Sequence, residues 1–412
     1  MKFEEYRIYG GIKTSIEKLG YKKPTDIQFK SIPHILKGED VLAIAQTGTG
    51  KTAAFAIPIL HIVHERKVNS RPDGVKCIVM APTHELAIQI EGVFNGLGKK
   101  TKVKTFAIHG GVDQAPQIAQ LNKGVDILIA TPGRMFDLVS QGALSLERVE
   151  ILVLDEADHM LDLGFIKDIR QLIAQLPRKR QTLFFSATIN EKIKKLAYSL
   201  VSNAIRIQLS PKDPVAKKID HAVAAVEMDD KRFFLEQMIR KHEDKKILIF
   251  VRTKVRAERV KKALARVEIT SDTIHGDKDQ EERDLALRSF KSDKLKVLIT
   301  TDVSARGIDI PNVDYVVNYD LPESAEKYVH RVGRTGRGNQ NGLALSFCSS
   351  EEKELLDEIE ENLGKPIARM DISKNEYQEV VAMSEEQPND WKSLIDQNEE
   401  ITSKFKKKGK KK

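Results

Sequence analysis

The sequence is poor in the residues that mark secreted and membrane proteins. It has two cysteines, Cys77 and Cys348, in 412 residues. Each lies inside an apolar stretch (CIVMA and LALSFC), which favours two buried thiols over a disulfide. No apolar run approaches the roughly 20 residues that cross a bilayer, and the N-terminus, MKFEEYRIYGG, lacks the apolar core of a secretory signal. We therefore expect a chain without a membrane segment that resides in the cytoplasm, with a monomer as the default state.

The length and charge of the chain set broad limits on its architecture. Domains run to roughly 100 to 200 residues each, so a chain of 412 residues predicts two of them. Lysine and arginine together number 68 against 60 aspartates and glutamates, a net charge of +8. This modest excess favours polyanionic partners but does not by itself establish nucleic-acid binding.

Short apolar runs alternate with amphipathic stretches in both halves of the chain. Such runs are typical of buried parallel strands, and the stretches between them supply crossover helices, as in 86–97, 165–176 and 254–266. The predicted strands are 41–45, 77–81, 105–108, 126–130, 151–154 and 182–185, then 247–251, 273–275, 296–300, 315–318 and 343–347. The sequence thus predicts an α/β fold in two domains, 1–208 and 218–370.

Two segments lack this alternation. Residues 209–217, LSPKDPVAK, contain two prolines and no periodicity and are interpreted as a linker. Residues 371–412 are polar and end in KFKKKGKKK, with seven lysines in nine residues, and are predicted to be a disordered tail. The tail is a candidate site for protein partners or for sequence-independent contact with RNA; the alternative is a solubilising end.

A phosphate-binding loop is indicated by the segment AQTGTGKT at 45–52, which follows an apolar strand and precedes a helical stretch. Gly48 and Gly50 let backbone N–H groups surround phosphates, Lys51 can reach the β and γ oxygens, and the Thr52 hydroxyl can ligate Mg²⁺. Ala45 stands where the strict pattern has glycine. The alternative, an ordinary glycine-rich turn, does not account for the coincidence of strand, GKT and helix.

A second nucleotide signal is Asp155-Glu156, at the carboxyl end of the apolar run ILVL. Open α/β sheets bind their ligands at this edge. Asp155 there can hold Mg²⁺, partly through water, and Glu156 can polarise the water that attacks a γ-phosphate. Without the upstream loop, two acidic residues would indicate only a solvated turn.

The motifs in their order resemble those of the DEAD-box RNA helicases, which carry DEAD and AQTGTGKT. The further motifs are GYKKPTDIQ (20–28), PTHELA (82–87), GG (110–111), TPGR (131–134), SAT (186–188), QEER (280–283), TDVSARGID (301–309) and HRVGRTGR (330–337). The resemblance extends from about residue 3 to residue 347. It implies two tandem RecA-like domains, each a mostly parallel sheet flanked by helices, that use ATP and Mg²⁺ and bind RNA.

The resemblance also implies individual roles in the nucleotide site. Gln28 would recognise the adenine edge, because its carboxamide offers one donor and one acceptor, and ATP would be preferred over GTP. Arg334 and Arg337 would act as arginine fingers from the second domain, and Asp309 would contact the ribose. The remaining implied ATP-binding residues are Phe3, Tyr21, Lys23, Gln46, Thr47, Gly48, Thr49, Gly50, Lys51 and Thr52.

Two more groups of residues follow from the resemblance. Those implied to couple the nucleotide to the RNA groove are Asp158, Ser186, Thr188, His330 and Arg331. Those implied to bind the RNA backbone are Pro82, Thr83, Gly110, Gly111, Thr131, Pro132, Gly133, Arg134, Gln280, Arg283 and Thr301. His84 departs from the family's usual arginine, and a neutral imidazole predicts a weaker or pH-sensitive RNA contact.

The resulting functional hypothesis is local, ATP-driven unwinding or remodelling of RNA duplexes and RNA–protein complexes. An ATP-gated RNA clamp is an alternative from the binding class, although the complete catalytic set argues against it. A DNA helicase is a further alternative, which the DEAD and adenine motifs disfavour. A metabolic kinase with a phosphate-binding loop is the last alternative, but it would not explain the motif HRVGRTGR. The short tail resembles the bacterial RNA helicase E-like branch. The RNA target, pathway and protein partners are left open by the sequence.

Overall fold

Two parallel sheets of seven strands each form the framework of the protein. The computed structural model describes residues 2–46, 48–67, 74–189, 191–201, 203–209, 215, 219–305, 313–336 and 341–385. Every strand pair in both sheets is parallel. The predicted α/β class with two parallel, helix-flanked sheets is confirmed.

The first sheet has the strand order β3-β4-β2-β5-β6-β1-β7. Its strands are β1 (Val41–Ile44), β2 (Cys77–Met80), β3 (Thr105–Ile108), β4 (Ile127–Ala130), β5 (Ile151–Leu154), β6 (Gln181–Ser186) and β7 (Ile205–Gln208). Val41 and Ala43 enter the core on one face, whereas Leu42 and Ile44 enter the core on the other. Because both faces are covered, these strands are continuous apolar runs in the sequence.

Nine helices of the described residues belong to this domain and cover the two faces of the sheet. They are α1 (Gly10–Lys18), α2 (Asp26–Leu36), α3 (Lys51–Arg66), α4 (His84–Gly98), α5 (Ala115–Asn122), α6 (Pro132–Ser140), α7 (Ala157–Asp162), α8 (Ile166–Gln175) and α9 (Glu191–Leu200). A single 3₁₀ turn, Phe3–Glu5, precedes them within the described residues. Most of the longer helices start where a strand has just ended, so their N-termini lie along the carboxyl edge of the sheet.

The second sheet has the order β10-β11-β9-β12-β13-β8-β14. Its strands are β8 (Ile219–Ala225), β9 (Ile247–Phe250), β10 (Ser271–Ile274), β11 (Val297–Thr300), β12 (Tyr315–Asn318), β13 (Gly342–Cys348) and β14 (Ala368–Met370). Its helices are α10 (Lys231–Lys241), α11 (Lys254–Arg266), α12 (Gln280–Lys291), α13 (Asp302–Ala305), α14 (Ala325–Val332), α15 (Lys353–Leu363) and α16 (Lys374–Glu385). A 3₁₀ turn, Ser350–Glu352, precedes α15. Apolar clusters again cover both faces.

Three strands, β7, β8 and β14, are absent from the sequence prediction. Strands β7 and β14 are at the edges of their sheets, where burial is incomplete: β14 is exposed throughout, and only Ile207 of β7 is fully buried. Strand β8 mixes Asp220 and His221 with alanines. None of the three therefore has the continuous apolar run by which buried strands are recognised.

The predicted linker, 209–217, lies between β7 and β8, and of its residues the structure describes only Leu209 and Val215. The placement of the domain boundaries at 208 and 218 stays a prediction. Among the described residues, no helix is both long enough and apolar enough to span a bilayer.

The prediction of a disordered tail from residue 371 is wrong for its first part, because α16 occupies Lys374–Glu385. The ring of Tyr377 packs 4.9 Å from that of Phe234 on α10, and Val380 is 8% exposed. Tyr377 and Val380 are spaced i, i+3 on one helical face, a pattern too short to stand out in polar sequence. The rest of the predicted tail, 386–412, lies outside the described residues.

The contact between α16 and α10 is testable through the Tyr377 hydroxyl, which donates to Asp230 at 2.7 Å and accepts from the Glu227 amide at 3.1 Å. A Tyr377→Phe variant should lower the free energy of unfolding by about 1 kcal/mol, because both partners lose a hydrogen bond. Urea denaturation checks this. Tyr198→Phe, at a residue that is 53% exposed, is the matched control, and equal stability of the two variants would contradict the contact.

Candidate nucleotide and RNA sites

The parallel sheet divides the motifs of the first domain into two groups. Strands β1, β6 and β5 are neighbours, and their carboxyl ends lead into the phosphate loop, SAT and DEAD. Strands β3, β4 and β2 are also neighbours, and their carboxyl ends lead into GG, TPGR and PTHELA. Because all carboxyl ends of a parallel sheet lie at one edge, the six motifs form two adjacent groups there, which we call the nucleotide half and the RNA half after the roles that the resemblance implies.

The phosphate loop has the backbone that its glycines predict. Gly50, which caps α3, has a φ of 91°, a left-handed conformation that side chains other than glycine rarely adopt. Its carbonyl accepts a hydrogen bond of 3.1 Å from Gln28 Nε2, and Gln28 Oε1 accepts one of 3.0 Å from the Thr25 amide. Gln28 is thus held against the loop with one donor hydrogen and one acceptor position left on its carboxamide.

The side chains of the loop point into a buried site. Lys51 is 6% exposed, and its Nζ donates to the Ala45 carbonyl at 2.9 Å. The Thr49 hydroxyl donates to the Gln46 carbonyl at 2.7 Å. Gly48 has a φ of 80°, and Thr52, in the first turn of α3, is half-buried. Thr47 lies outside the described residues.

Phe3, Tyr21 and Lys23 precede the loop in sequence. Phe3 is buried, and its ring centroid lies 6.4 Å from that of the partly exposed Tyr21. Lys23 is exposed. The structure therefore brings Gln28 to the phosphate loop and places the two aromatic rings side by side near the start of α2, while Lys23 stays in solvent.

Three buried carboxylates, Asp155, Glu156 and Asp158, stand at the end of β5. Burial raises the pKa of Asp155 to about 6, although Lys51 opposes the rise. Burial also raises the pKa of Glu156, but His159, Lys51 and Arg334 outweigh it and lower the pKa to about 2. Glu156 is therefore ionised at neutral pH, as a group that polarises water must be.

Glu156 also has an unusual backbone, because its φ of 49° places it in the left-handed region. Such strain persists only where the surroundings impose it, and it is common at functional sites. His159 Nδ1 lies 3.6 Å from Glu156 Oε2, beyond the usual length of a hydrogen bond. Sequence reasoning missed His159, which the i, i+3 spacing in DEADH could have revealed.

The residues of this site fit Mg²⁺ shared with a nucleotide. Magnesium is held by one or two carboxylates together with substrate phosphates, not by an all-protein cage. The described residues contain no cluster of three or more potential ligands that could enclose a metal ion. The three buried carboxylates at the end of β5 nevertheless carry more negative charge than Lys51 alone can balance. Asp155 and Thr52 are the candidate ligands.

Arg334 of the second domain faces this site. It follows α14, is 4% exposed, and lies close enough to lower the pKa of Glu156. Arg337 and Asp309 lie outside the described residues. Of the two predicted arginine fingers, the structure thus brings Arg334 to the carboxylates and describes nothing of Arg337.

A direct link joins DEAD to SAT. The Thr188 amide and hydroxyl donate to Asp158 Oδ2 at 3.2 Å and 3.3 Å. The Ser186 hydroxyl donates to the Thr188 carbonyl at 2.8 Å, which fixes the turn. Asp158 on α7 is therefore bound to the turn that follows β6.

The other two predicted coupling residues, His330 and Arg331, lie in α14. Arg331 is 2% exposed and forms a bidentate ion pair with Asp302, at 2.6 Å and 2.8 Å. This pair ties α14 to α13 inside the second domain. His330 is half-buried on the same helix.

The predicted RNA-binding residues lie at helix starts and in tight turns. In the first domain, Thr83 caps α4, accepting from the Leu86 amide at 3.3 Å, and Thr131 precedes α6. In the second, Gln280 begins α12 and Thr301 precedes α13. The others at this edge are Pro82, Gly110, Gly111, Pro132, Gly133, Arg134 and Arg283. Helix N-termini present free N–H groups to anions.

The two domains meet at this RNA half. Arg283 of α12 pairs with Glu85 of α4, and a Cβ added to Gly111 would lie 3.6 Å from that of Gln280. Both side chains of the ion pair are largely buried. Glu85 was not among the predicted residues, because only the folded chain places it opposite Arg283.

Several buried donors at this seam have no partner. His84 Nδ1, Arg134 Nη1 and Arg283 Nε make no hydrogen bond within the protein, which is uncommon for buried polar groups. The His84 ring also stacks on that of His109, with 3.7 Å between centroids and 15° between planes. His109, which sequence reasoning missed, follows β3 directly.

Comparisons with known proteins agree with this geometry. The model of the DEAD/DEAH box helicases matches residues 25–196, and that of the helicase conserved C-terminal domain matches residues 230–339. The ATP-dependent RNA helicase CshA of Listeria monocytogenes is 39% identical over 364 residues, 88% of this chain and 69% of the relative. The DEAD-box ATP-dependent RNA helicase CshA of Bacillus licheniformis is 37% identical over 89% of this chain and 74% of the relative.

The chain belongs to the DEAD-box ATP-dependent RNA helicases.

Solved structures are similar over most of the chain. A variant of S. cerevisiae Dbp5 bound to RNA and ADP BeF3 has a TM-score of 0.82 at 31% identity, covering 93% of this chain and 99% of that one. Mss116 bound to single-stranded RNA and UDP-BeF has a TM-score of 0.82 at 30% identity, covering 92% of this chain and 81% of that one. Dbp5 bound to Nup159, Gle1, IP6 and ADP has a lower TM-score, 0.61, at 30% identity. This match covers 92% of this chain and 100% of that one. Of these three structures, the two bound to RNA have the higher TM-scores.

The loop conformation gives a test of the nucleotide site. In a Gly50→Ala variant, the new Cβ would lie 2.5 Å from Gln28 Nε2 at a φ of 91°. The strain and the displaced Gln28 should weaken ATP binding by about tenfold or more, as measured by titration with a fluorescent ATP analogue. Gly92→Ala, with open space around its Cβ, is the matched control. Equal affinities for the two variants would rule out this role of Gly50.

Proposed function

We propose that ATP and RNA jointly close the two domains, that the closed groove bends one RNA strand so that a short duplex loses pairing, and that hydrolysis reopens the cleft. The observation that carries the proposal is that the two domains approach each other in both halves of the sheet edge. Arg334 lies by Glu156 in the nucleotide half, and Arg283 pairs with Glu85 in the RNA half. Both ligands would then stabilise the same closed arrangement.

The nucleotide half supports assigned roles in ATP hydrolysis. Gln28 would read adenine with its free donor and acceptor positions, and the phosphate loop and Lys51 would bind the phosphates. Glu156 would orient and polarise the attacking water. Arg334 would stabilise the charge of the transition state, a contribution worth orders of magnitude in rate for arginine fingers. Because Arg334 belongs to the second domain, hydrolysis would depend on closure.

Mg²⁺ would be held by Asp155 and the Thr52 hydroxyl together with the β- and γ-phosphates, and when bound it would neutralise charge that develops on them. The raised pKa of Asp155 supports this assignment, since buried carboxylates without a sufficient cation resist ionisation. Mg²⁺ and Lys51 would thus balance the negative charge of ATP and Asp155.

The RNA half supports contact with the backbone and not with bases. Helix N-termini and the unpaired donors of His84, Arg134 and Arg283 suit phosphate oxygens. Such contacts are largely independent of sequence. The same chemistry would suit a single strand or a short duplex. Cytoplasmic residence, a monomeric state and protein contacts through residues 386–412 are parts of the proposal that await measurement.

Glu156 provides the main test. The wild-type protein should hydrolyse ATP faster with RNA than without it, and Glu156→Gln should lower the RNA-stimulated rate about 10²- to 10⁴-fold, because the amide is a poor base. RNA should dissociate more slowly from the variant with ATP, because reopening requires hydrolysis. Phosphate release and RNA dissociation measure the two effects.

Glu191→Gln is the matched control, because its side chain is 77% exposed at the start of α9. It should behave as the wild type in both assays. An ATPase rate of the wild-type protein that is independent of RNA would overturn the proposed function.

The Asp158–Thr188 link yields a separate prediction about coupling. Asp158→Ala and Thr188→Val should each leave ATP affinity close to that of the wild type but reduce the stimulation of hydrolysis by RNA. The double variant should lose less than the sum of the single losses, with an interaction energy of about 0.5 to 3 kcal/mol in a double-mutant cycle. Strictly additive losses would show that the two residues act independently.

A further inference from the structure

The stacked histidines of the RNA half are unusual for a phosphate-binding surface. His84 is the first residue of α4, a helix of 15 residues, and it is 9% exposed. Its Nδ1 has no hydrogen-bond partner. The helix N-terminus favours an anion, and the buried imidazole nitrogen beside it, which has no partner, can donate to that anion when it carries a proton. The site is therefore built for an anion but has no permanent charge at position 84.

We propose that His84 and His109 together take up one proton when an RNA phosphate binds at the N-terminus of α4, so that RNA affinity increases as the pH falls. The inference rests on the proposed function, because the ligand is the RNA backbone bound in the groove between the domains. It adds a regulated contact and a further residue, His109, to that groove.

The geometry explains why the pair should hold one proton and not two. The ring centroids lie 3.7 Å apart with nearly parallel planes. Two imidazolium rings at this distance repel each other, whereas one imidazolium is stabilised by the π-face of a neutral neighbour. His109 Nδ1 also lies 3.1 Å from the Gly110 carbonyl, which orients its ring. The pair can therefore share a single charge over two rings.

Charged groups around the pair set its behaviour without RNA. They are Glu85 and Glu91 on α4, Arg134 on α6, and Arg283 and Asp284 on α12. Glu85 is neutralised by its ion pair with Arg283. Burial lowers the pKa of His109, and His84 and Arg134 lower it further, although Asp284 and the Gly110 carbonyl oppose them. His109 is thus mostly neutral near pH 7 in the absence of RNA.

The sign of the effect follows from linkage. A phosphate beside the rings stabilises the protonated form and raises the pKa of the pair in the complex. Affinity should therefore be low above the pKa of the complex, rise as the pH falls through it, and level off below the pKa of the free protein. If the pKa of the pair is higher by about one in the complex than in the free protein, the affinity changes about tenfold between these limits.

The test is fluorescence anisotropy of the full chain with labelled single-stranded RNA and a non-hydrolysable ATP analogue, from about pH 6 to about pH 8 at constant ionic strength. The wild-type affinity should fall about three- to tenfold over this range. The double variant His84→Gln, His109→Gln should lose this dependence. His84→Arg should lose it as well, but with high affinity throughout, because guanidinium keeps its charge.

Three comparisons keep the outcomes distinct. His109→Gln alone should shift the midpoint to lower pH, because the stacked partner that stabilises the charge is gone; an unshifted midpoint would remove His109 from the proposal. His242→Gln, at a half-buried histidine of the second domain beside Tyr315, should retain the wild-type profile. The affinity for the ATP analogue without RNA, measured at each pH, distinguishes pH effects on the nucleotide site from those on RNA binding. The same measurement shows whether each variant is folded.

A wild-type affinity that does not vary with pH, or a double variant that keeps the wild-type profile, would overturn the inference while RNA binding itself persisted. Failure of the proposed function is different, because RNA would then neither bind with ATP nor stimulate hydrolysis at any pH.

Discussion

Parallel pairing of the strands is the constraint on which the sites of this protein depend. Each strand of a parallel sheet ends at the same edge as its neighbours, so motifs separated by more than a hundred residues become adjacent. The phosphate loop after β1 and DEAD after β5 are separated in the sheet only by β6, which ends in SAT. The nucleotide site is therefore a consequence of strand order, and residue types decide its chemistry.

The charges at this edge leave the nucleotide site incomplete in a single domain. Asp155, Glu156 and Asp158 are buried around Lys51, and buried carboxylates are costly without compensation. ATP alone would add further negative charge, so cations must come from elsewhere. A magnesium ion would supply one part and Arg334 of the second domain another. Electrostatics thus favours the nucleotide-bound enzyme with its domains together.

Sequence predicts the parts of this fold that are buried on both sides and misses those that depend on long-range contacts. Strands such as Ile151–Leu154 are fully buried, so their apolar runs reveal them. Strand Ala368–Met370 is exposed and α16 has a short apolar face, and neither gives such a signal. The roles of the glycines and Lys51 in the phosphate loop could be predicted from the sequence because they depend on local chemistry. The partnerships of Glu85 with Arg283 and of His84 with His109 require chain segments that only folding brings together.

The two contacts between the domains lie in opposite halves of one sheet edge, and this placement has an energetic consequence. In the proposed closure, Arg334 would approach Glu156 and Arg283 would pair with Glu85 in the same movement, so a ligand that stabilises either arrangement would also favour the other. Linkage then requires that ATP strengthen RNA binding by the same factor by which RNA strengthens ATP binding. Within the first domain, the bond from Asp158 to Thr188 joins α7 to the turn after β6, so it links DEAD to SAT inside the nucleotide half.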